Sequence, residues 1–215
     1  MSGYRMAREG WPYVLAAVLA GAICLRWSPV LSLVPFGLAL FFAFFFRNPP
    51  RVVPAEEDAL VAPADGVVLD VSEVYEDTYL QGPGKKVSIF LSLFNVHINR
   101  MPCDGQVELV SRVPGEFRPA FDRQAGRCNS RNLVGLRTAW GRVLVVQITG
   151  IIARRIVCRA RVGATYRRGE VFGLIKFGSC TELYLPPGVH ICVRRGDKVR
   201  GGETIVGRMT ADVPS

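Results

Sequence analysis

Two long apolar runs open the chain, and the residue pattern changes after them. Residues 11–25 and 30–46 are almost entirely apolar, and the spacer 26–29 (Arg-Trp-Ser-Pro) separates them. Apolar runs of this length predict helices, and the proline marks a turn between them. Residues 1–50 are therefore expected to form an N-terminal hydrophobic helical hairpin.

The hairpin is expected to associate with a membrane. Its helices would be about 22 and 26 Å long, slightly short of the ~30 Å hydrocarbon core of a bilayer. The hairpin could therefore either span the bilayer or dip into one leaflet. Its tip carries Arg26, whereas its two ends carry Arg5, Arg8, Arg47 and Arg51. This asymmetry predicts localisation at the cell membrane, with the rest of the chain on the cytoplasmic face. A signal peptide and a pair of buried core helices are the alternative interpretations.

From residue 51 onward, short β-branched runs alternate with turns that contain glycine. Examples of the runs are 67–69, 87–91 and 143–148, and Asp65-Gly66 is one of the turns. Many short strands at regular spacing favour a barrel or a sandwich. We therefore predict a mostly β domain over residues 51–215.

A recurrent phrase in residues 163–207 refines this fold prediction. In this phrase a glycine is followed by an acidic residue, and a Val or Ile comes one or two positions after the acidic residue. It occurs at Gly169, Gly196 and Gly202. The phrase resembles the barrel-sandwich fold of lipoyl and biotinyl carrier domains, in which Lys176 would be the candidate carrier lysine. The likeness indicates a fold and not a function. Residues 151–156 fit either a short helix or a strand.

Charge and composition favour an anionic membrane as the partner. The chain has 27 Lys and Arg against 18 Asp and Glu, and its mean hydropathy is +0.23. No motif for binding nucleic acid is present, so nucleic acid is not expected as a partner. The six cysteines lack the spacing of a metal site, so no metal is expected. The candidate lipid-facing cluster is Arg112, Arg118, Arg123, Arg127 and Arg131.

Four phrases carry the most specific signal in the sequence. In chain order they are Arg47-Asn48-Pro49, Ala64-Asp65-Gly66, Asn95-Val96-His97 followed by Arg100, and Phe177-Gly178-Ser179. Together they resemble the short form of the phosphatidylserine decarboxylase family, and the resemblance covers nearly the whole chain, hairpin included.

The resemblance implies a proenzyme that cuts its own chain between Gly178 and Ser179. The products would be a large subunit (1–178) and a small subunit (179–215), which stay associated, and a homodimer is a further expectation. Ser179 would become a pyruvoyl group, the only cofactor, with no PLP and no metal. That group would serve as the electron sink for converting phosphatidylserine into phosphatidylethanolamine.

The resemblance also implies a catalytic set. Ser179 would attack the preceding carbonyl, His97 would act as its base, and Asp65 would orient His97. Longer members of the family carry His-x-x-His where this chain has His97 and Arg100, so whether His97 serves both cleavage and decarboxylation is open. Arg100 and Asn95 are candidate auxiliary residues.

Two other functions remain open at the level of sequence. An uncut serine hydrolase could use the same three residues, although Ser179 lacks the Gly-x-Ser-x-Gly setting of a nucleophile elbow. A non-catalytic, membrane-anchored adaptor or carrier would tolerate the loss of Ser179 and of His97.

Overall fold

The computed structural model describes residues 5–118, 128–150, 155–176 and 179–209. The chain divides into two compact units, Met1–Pro50 and Arg51–Ser215. Part of the undecided segment 151–156 lies outside the described residues, and so does Gly178 of the predicted cleavage site. The described part of that segment, from residue 155, is a strand.

The first unit is a helical hairpin, as predicted. Helix α1 (Trp11–Leu25) and helix α2 (Pro29–Phe45) follow a 3₁₀ turn at Arg8–Gly10. Strands β1 (Arg5–Met6) and β2 (Arg47–Asn48) pair antiparallel at its open end. The assignment of Pro29 to the turn is wrong. Pro29 is the first residue of α2, where its missing N–H leaves no helical hydrogen bond unmade.

The hairpin exposes large apolar side chains along both helices. Trp27 at the tip is 77% exposed, and Leu40 in α2 is 74% exposed. The helices pack closely at Gly21, where an added Cβ would lie 2.7 Å from the ring of Phe36. No helix among the described residues combines the length and the apolarity needed to cross a bilayer.

The second unit is built from short antiparallel strands. Within the described residues these are β3 (Ala59–Val61), β4 (Gly66–Glu76), β5 (Gly82–Leu91), β6 (Ile98–Arg100), β7 (Gly105–Val113), β8 (Arg131–Thr138), β9 (Gly141–Ile148), β10 (Arg155–Cys158), β11 (Thr165–Tyr166), β12 (Val171–Lys176), β13 (Ser179–Leu185), β14 (Val189–Ile191), β15 (Lys198–Val199) and β16 (Ile205–Met209).

Three sheets form from these strands. The largest has the order β11-β7-β8-β9-β13-β5-β4-β15 and curls into half of a barrel. Two smaller sheets have the orders β10-β12-β6 and β14-β16-β3. The mostly β class with an N-terminal helical hairpin is confirmed. β13 lies between β9 and β5 inside the largest sheet, and its first residue is Ser179, the predicted nucleophile.

The large sheet buries side chains on both faces. Its inner face carries the main core, to which β5, β8, β9 and β13 contribute Val87, Ile89, Val134, Val145 and Leu183. The opposite face carries a smaller cluster that includes Leu144, Val146 and Cys180. Consecutive residues of a strand point to opposite faces, so the sequence number alone assigns each β13 side chain to one cluster.

The two histidines lie in different surroundings. His97 follows a turn, because β5 already ends at Leu91. His190 belongs to β14, opposite Arg208 of β16, and its side chain is exposed.

Candidate functional site

The inner face of the large sheet ends in a row of polar side chains. Asn132 of β8, Gln147 of β9 and Thr181 of β13 occupy neighbouring register positions. All three are buried, and Gln147 and Thr181 are 0% exposed. Because side chains alternate along a strand, they share the face of the main core and extend it as a polar layer.

A side chain from the neighbouring sheet completes this layer. Asn99 of β6 donates to Thr181 Oγ1 at 3.1 Å and accepts from Gln147 Nε2 at 2.8 Å. Asn132 Nδ2 in turn donates to Gln147 Oε1 at 3.0 Å. We call these four residues the amide ladder. An unpaired polar group at such a depth costs about 1–3 kcal/mol, so the ladder fixes β6 firmly against β13.

One glycine allows the ladder to form. Gly173 of β12 lies beside the amide of Gln147, and an added Cβ would stand 3.0 Å from Nε2 and 2.3 Å from the carbonyl oxygen of Val157. A side chain at this position would therefore push β12 away from its neighbours.

Ser179 lies on the same face of β13 as Thr181, two residues earlier. It is 0% exposed, and its backbone stands opposite Leu91 of β5. Its Oγ has no hydrogen-bond partner among the described residues. Buried hydroxyls are nearly always hydrogen-bonded, so this one needs an explanation. A hydroxyl without a partner keeps its proton and lone pairs available for a reaction, and the carbonyl that precedes it in the chain is that of Gly178.

His97 is held by the turn that precedes it. The Asn95 side chain accepts hydrogen bonds from the Ser92 N–H at 2.8 Å and the Ser92 hydroxyl at 2.7 Å, which closes the turn. Nδ1 of His97 lies 3.0 Å from the carbonyl oxygen of Asn95. A carbonyl only accepts, so this contact requires a proton on Nδ1 and leaves the lone pair of the neutral ring on Nε2. That tautomer suits a general base.

His97 and Ser179 each lie two residues before a member of the amide ladder, Asn99 and Thr181. The backbone of His97 continues the β6 pairing, because its carbonyl accepts from the N–H of Ile175 at 3.1 Å. Strand alternation then places His97, which is 2% exposed, on the same side of its segment as Asn99. Ser179 and His97 each precede, by two residues, one of the two ladder members that are hydrogen-bonded to each other, Thr181 and Asn99.

Asp65 belongs to a different polar group. Nη2 of Arg51 donates to its two carboxylate oxygens at 2.9 and 2.7 Å, and the Gly201 N–H donates to Oδ1 at 2.8 Å. Nη1 of Arg51 also pairs with Glu203 at 3.3 Å. Together with Arg100 these residues form what we call the ionic cluster.

Arg100 ties the ionic cluster to β6. Burial and the nearby Arg51 lower the pKa of the Arg100 guanidinium, and Asp65 and Glu203 partly offset the decrease. Its Nη1 donates to the carbonyl of Gly169 at 3.0 Å. Arg100 therefore points away from the side of β6 that carries Asn99.

Ser179 and His97 are both buried, whereas the Asp65 carboxylate is bound by Arg51 and Gly201. The catalytic roles of Ser179 and His97 stay predictions. The role of Asp65 as orienting acid stays a prediction. Asn95 acts on His97 through its backbone and shapes the turn with its side chain.

Sequence reasoning missed the amide ladder and the clamp of Arg51 on Asp65. A signal for the ladder was present, because Gln147 interrupts the apolar run of β9 at a position that faces the core. Arg51 was noted only as a charge that flanks the hairpin.

Other groups near the site are chemically quiet. Burial, and secondarily Glu182, raises the pKa of the Cys180 thiol, which therefore stays protonated near neutral pH. No cluster of potential metal ligands occurs in the part of the chain that the structure describes. Of the predicted basic cluster, Arg123 and Arg127 lie outside the described residues, and Arg118 pairs with Glu116.

Comparisons with known proteins agree on one family. The family model of phosphatidylserine decarboxylase matches residues 38–207. A phosphatidylserine decarboxylase proenzyme of Carboxydothermus hydrogenoformans is 50% identical over 208 residues, which is 95% of this chain and 96% of the relative. The proenzyme of Symbiobacterium thermophilum is 48% identical, covering 95% of each chain. The proenzyme of Geotalea uraniireducens is 44% identical, covering 94% of this chain and 95% of its own.

Proposed function

Because this chain belongs to the phosphatidylserine decarboxylase family, we propose that it is a self-cleaving, pyruvoyl-dependent enzyme that converts phosphatidylserine into phosphatidylethanolamine. One observation carries the proposal beyond the family name. The Ser179 hydroxyl is fully buried and has no partner among the described residues, at the start of a central strand. That setting fits a nucleophile that acts once, on its own chain.

The proposed self-cleavage requires Ser179 as the nucleophile, one base and one water molecule. Ser179 Oγ loses its proton to the base and attacks the Gly178 carbonyl carbon. The peptide C–N bond breaks, its nitrogen takes a proton, and an ester joins the two residues. The base then removes the Cα proton of residue 179, a double bond forms between Cα and Cβ, and the Cβ–Oγ bond breaks to release Gly178 as a carboxylate. Water finally replaces the nitrogen, which leaves as ammonia, and a ketone remains.

His97 is the proposed base. With its proton held on Nδ1 by Asn95, the neutral ring keeps its lone pair on Nε2, the nitrogen that is proposed to act as the base. Burial of the nucleophile and the base keeps bulk water away from the ester before elimination. Asp65 is proposed to supply the negative charge that stabilises the protonated ring, as the family resemblance implies.

The pyruvoyl group formed at position 179 would supply an electron sink for the pair released with CO₂. The backbone of β13 would hold it in place, and His97 Nε2 would return a proton to the substrate carbon. Ser179 fits the precursor of such a group, because it is the first residue of β13 and its buried hydroxyl has no hydrogen-bond partner among the described residues.

The two fragments would stay together without a covalent link. β13 pairs with β5 over seven residue pairs and with β9 over five. A strand that lies between two partners keeps both hydrogen-bond ladders, and its share of the core, after one peptide bond is cut.

We further propose that the hairpin inserts into one leaflet of the cell membrane from its cytoplasmic face. Both helices expose large apolar residues, and at 15 and 17 residues they are short for a full crossing. An anionic leaflet would attract the net positive charge of the chain.

Intact mass spectrometry of purified protein tests the proposal. We expect two chains, 1–178 and 179–215, the second carrying a carbonyl that borohydride reduces. A decarboxylation assay on phosphatidylserine then tests the substrate. A single uncut chain that still decarboxylates the lipid would refute the pyruvoyl proposal. An uncut chain that hydrolyses esters would favour the serine hydrolase.

A further inference from the structure

A cleft with positive charge lies at the end of β12. Its volume is about 650 Å³, and its lining includes Arg112, Ser130, Thr149, Arg155, Ile156 and Lys176. None of the described residues that line it is acidic. Two other clefts of the same unit differ, because one combines Lys86 with Glu182 and the other combines Arg168 with Asp104. The lining of the first cleft therefore favours an anion.

Two of the basic residues stand side by side. Arg155 of β10 is the direct cross-strand partner of Lys176 of β12. Like charges at such positions destabilise an antiparallel pair, and an anion bound between them would remove the repulsion. The sequence therefore places two cations where a bound anion would stabilise the sheet.

Arg112 reaches the same cleft from the large sheet. Its Nη2 donates to the carbonyl oxygen of Ile156 at 3.0 Å, which anchors the guanidinium at the cleft. A guanidinium carries several N–H donors in a fixed fork, and this geometry matches the oxygens of a phosphate. One hydrogen bond to a carbonyl therefore leaves donors for a ligand.

The cleft is close to the proposed reactive residue. Lys176 ends β12 and Ser179 begins β13. Consecutive Cα atoms are about 3.8 Å apart, so the two Cα atoms lie within about 11 Å of each other. In phosphatidylserine only four covalent bonds separate the phosphorus atom from the serine nitrogen. A phosphate at Lys176 would thus hold that nitrogen near position 179.

We propose that Arg112, Arg155 and Lys176 bind the phosphodiester of the substrate lipid and so direct its serine head group to residue 179. Ile156 supplies an apolar contact for the glycerol side of the ester. The proposal rests on the proposed function and adds the residues that recognise the substrate. A neighbouring anionic lipid of the membrane carries the same phosphodiester. The experiments below distinguish binding of the substrate from binding of such a lipid.

Three single variants test the site: Arg112→Gln, Arg155→Gln and Lys176→Gln. Arg195→Gln, an exposed arginine in the turn between β14 and β15, is the matched control for charge. Mass spectrometry first establishes that each variant is cleaved. In micelles of neutral detergent, we expect the KM for phosphatidylserine to rise about tenfold in each cleft variant, the loss for one charge-assisted hydrogen bond. We expect kcat to change less than twofold.

Arg112→Gln and Arg155→Gln keep the test decisive if Lys176→Gln blocks cleavage through its nearness to Ser179. An unchanged KM in cleaved Arg112→Gln and Arg155→Gln would overturn the proposal. An equal rise in Arg195→Gln would also overturn it, because the effect would then follow net charge. Failure of the proposed function looks different, since the wild-type chain itself would stay uncut or inactive.

A soluble probe separates the substrate from the surrounding lipid. We expect glycerophosphoserine to inhibit the wild-type enzyme competitively and to inhibit the cleft variants about tenfold more weakly. Flotation on phosphatidylcholine vesicles with and without phosphatidylglycerol measures surface binding. Variants that lose only the phosphatidylglycerol-dependent binding, with inhibition unchanged, would show that the cleft serves the membrane and not the substrate.

Discussion

The two sides of β6 carry polar groups of opposite character. On one side, Asn99 joins the amide ladder, whose hydrogen bonds link neutral groups. On the other side, Arg100 joins the ionic cluster with Arg51, Asp65 and Glu203. One step along an extended strand separates the two groups, because neighbouring side chains point in opposite directions.

The two groups offer the enzyme different things. A neutral, hydrogen-bonded ladder holds side chains in place without imposing a net charge. An ionic cluster creates a local field and depends on keeping its partners, since removing one leaves a charge uncompensated. The two sides can therefore be tested separately, the ladder for positioning and the cluster for charge.

Replacing Ser179, which precedes the ladder residue Thr181 on β13, is expected to have the largest effect. Ser179→Ala removes the only hydroxyl at the proposed scissile bond, so we expect no cleavage and no decarboxylation. Gel electrophoresis and mass spectrometry measure the first, and a CO₂ release assay measures the second. Ser111→Ala, on β7, is the control and should mature normally. Cleavage of Ser179→Ala at the same bond would contradict the proposed nucleophile.

Replacing His97 removes the base and keeps the nucleophile. Since positioned bases contribute roughly 10²–10⁴-fold, we expect His97→Gln to slow self-cleavage by at least 100-fold in a time course after synthesis. His190→Gln is the matched control, because that ring is exposed on β14. A normal cleavage rate in His97→Gln would mean that another residue is the base.

A pair of variants separates charge from packing in the ionic cluster. Asp65→Asn removes the negative charge that would stabilise protonated His97, whereas Arg51→Gln keeps that charge and removes its partner. We therefore expect cleavage to slow more than tenfold in Asp65→Asn, which is a loss of about 1.4 kcal/mol, and less in Arg51→Gln. Equal rates for the two variants would mean that Asp65 acts only by holding the cluster together.

The sequence predicted the apolar parts of the molecule well. Unbroken apolar runs can only be helices or buried strands, so residues 11–25 and the strands around Val87 and Val145 were recognisable. The family resemblance pointed to Ser179 and His97, and their catalytic roles stay predictions.

The polar contacts could not be predicted in the same way. Asn99 and Gln147 are 48 residues apart in the chain, and their bond depends on the register of two different sheets. The turn at Ser92–Asn95 could not be predicted from the apolar pattern either, because Leu93 and Phe94 continue the apolar run of β5 into it. Arg51 could not be linked to Asp65, because a lone arginine after a proline pair is typical of a solvated linker.

The ladder gives the smallest expected effect on cleavage and the sharpest comparison with the cluster. Asn99→Leu leaves Gln147 Nε2 and Thr181 Oγ1 without their bonds to Asn99, so we expect a loss of about 2–4 kcal/mol in the free energy of unfolding. Asn132→Leu breaks one bond at the edge of the ladder, and we expect a loss of about 1–2 kcal/mol. Urea unfolding of both variants on the Ser179→Ala background measures stability without cleavage.

In chains that keep Ser179, the same substitutions test whether the ladder positions the nucleophile. We expect Asn99→Leu to slow cleavage several-fold and Asn132→Leu to leave it nearly unchanged, because only Asn99 bonds the strand that begins with Ser179. Asn99→Gln, which retains the amide on a longer stem, should recover part of the rate if the bond to Thr181 is what matters. Equal cleavage rates in Asn99→Leu and Asn132→Leu would reduce the ladder to a stabilising element, and the distinction between the two sides of β6 would then rest on charge alone.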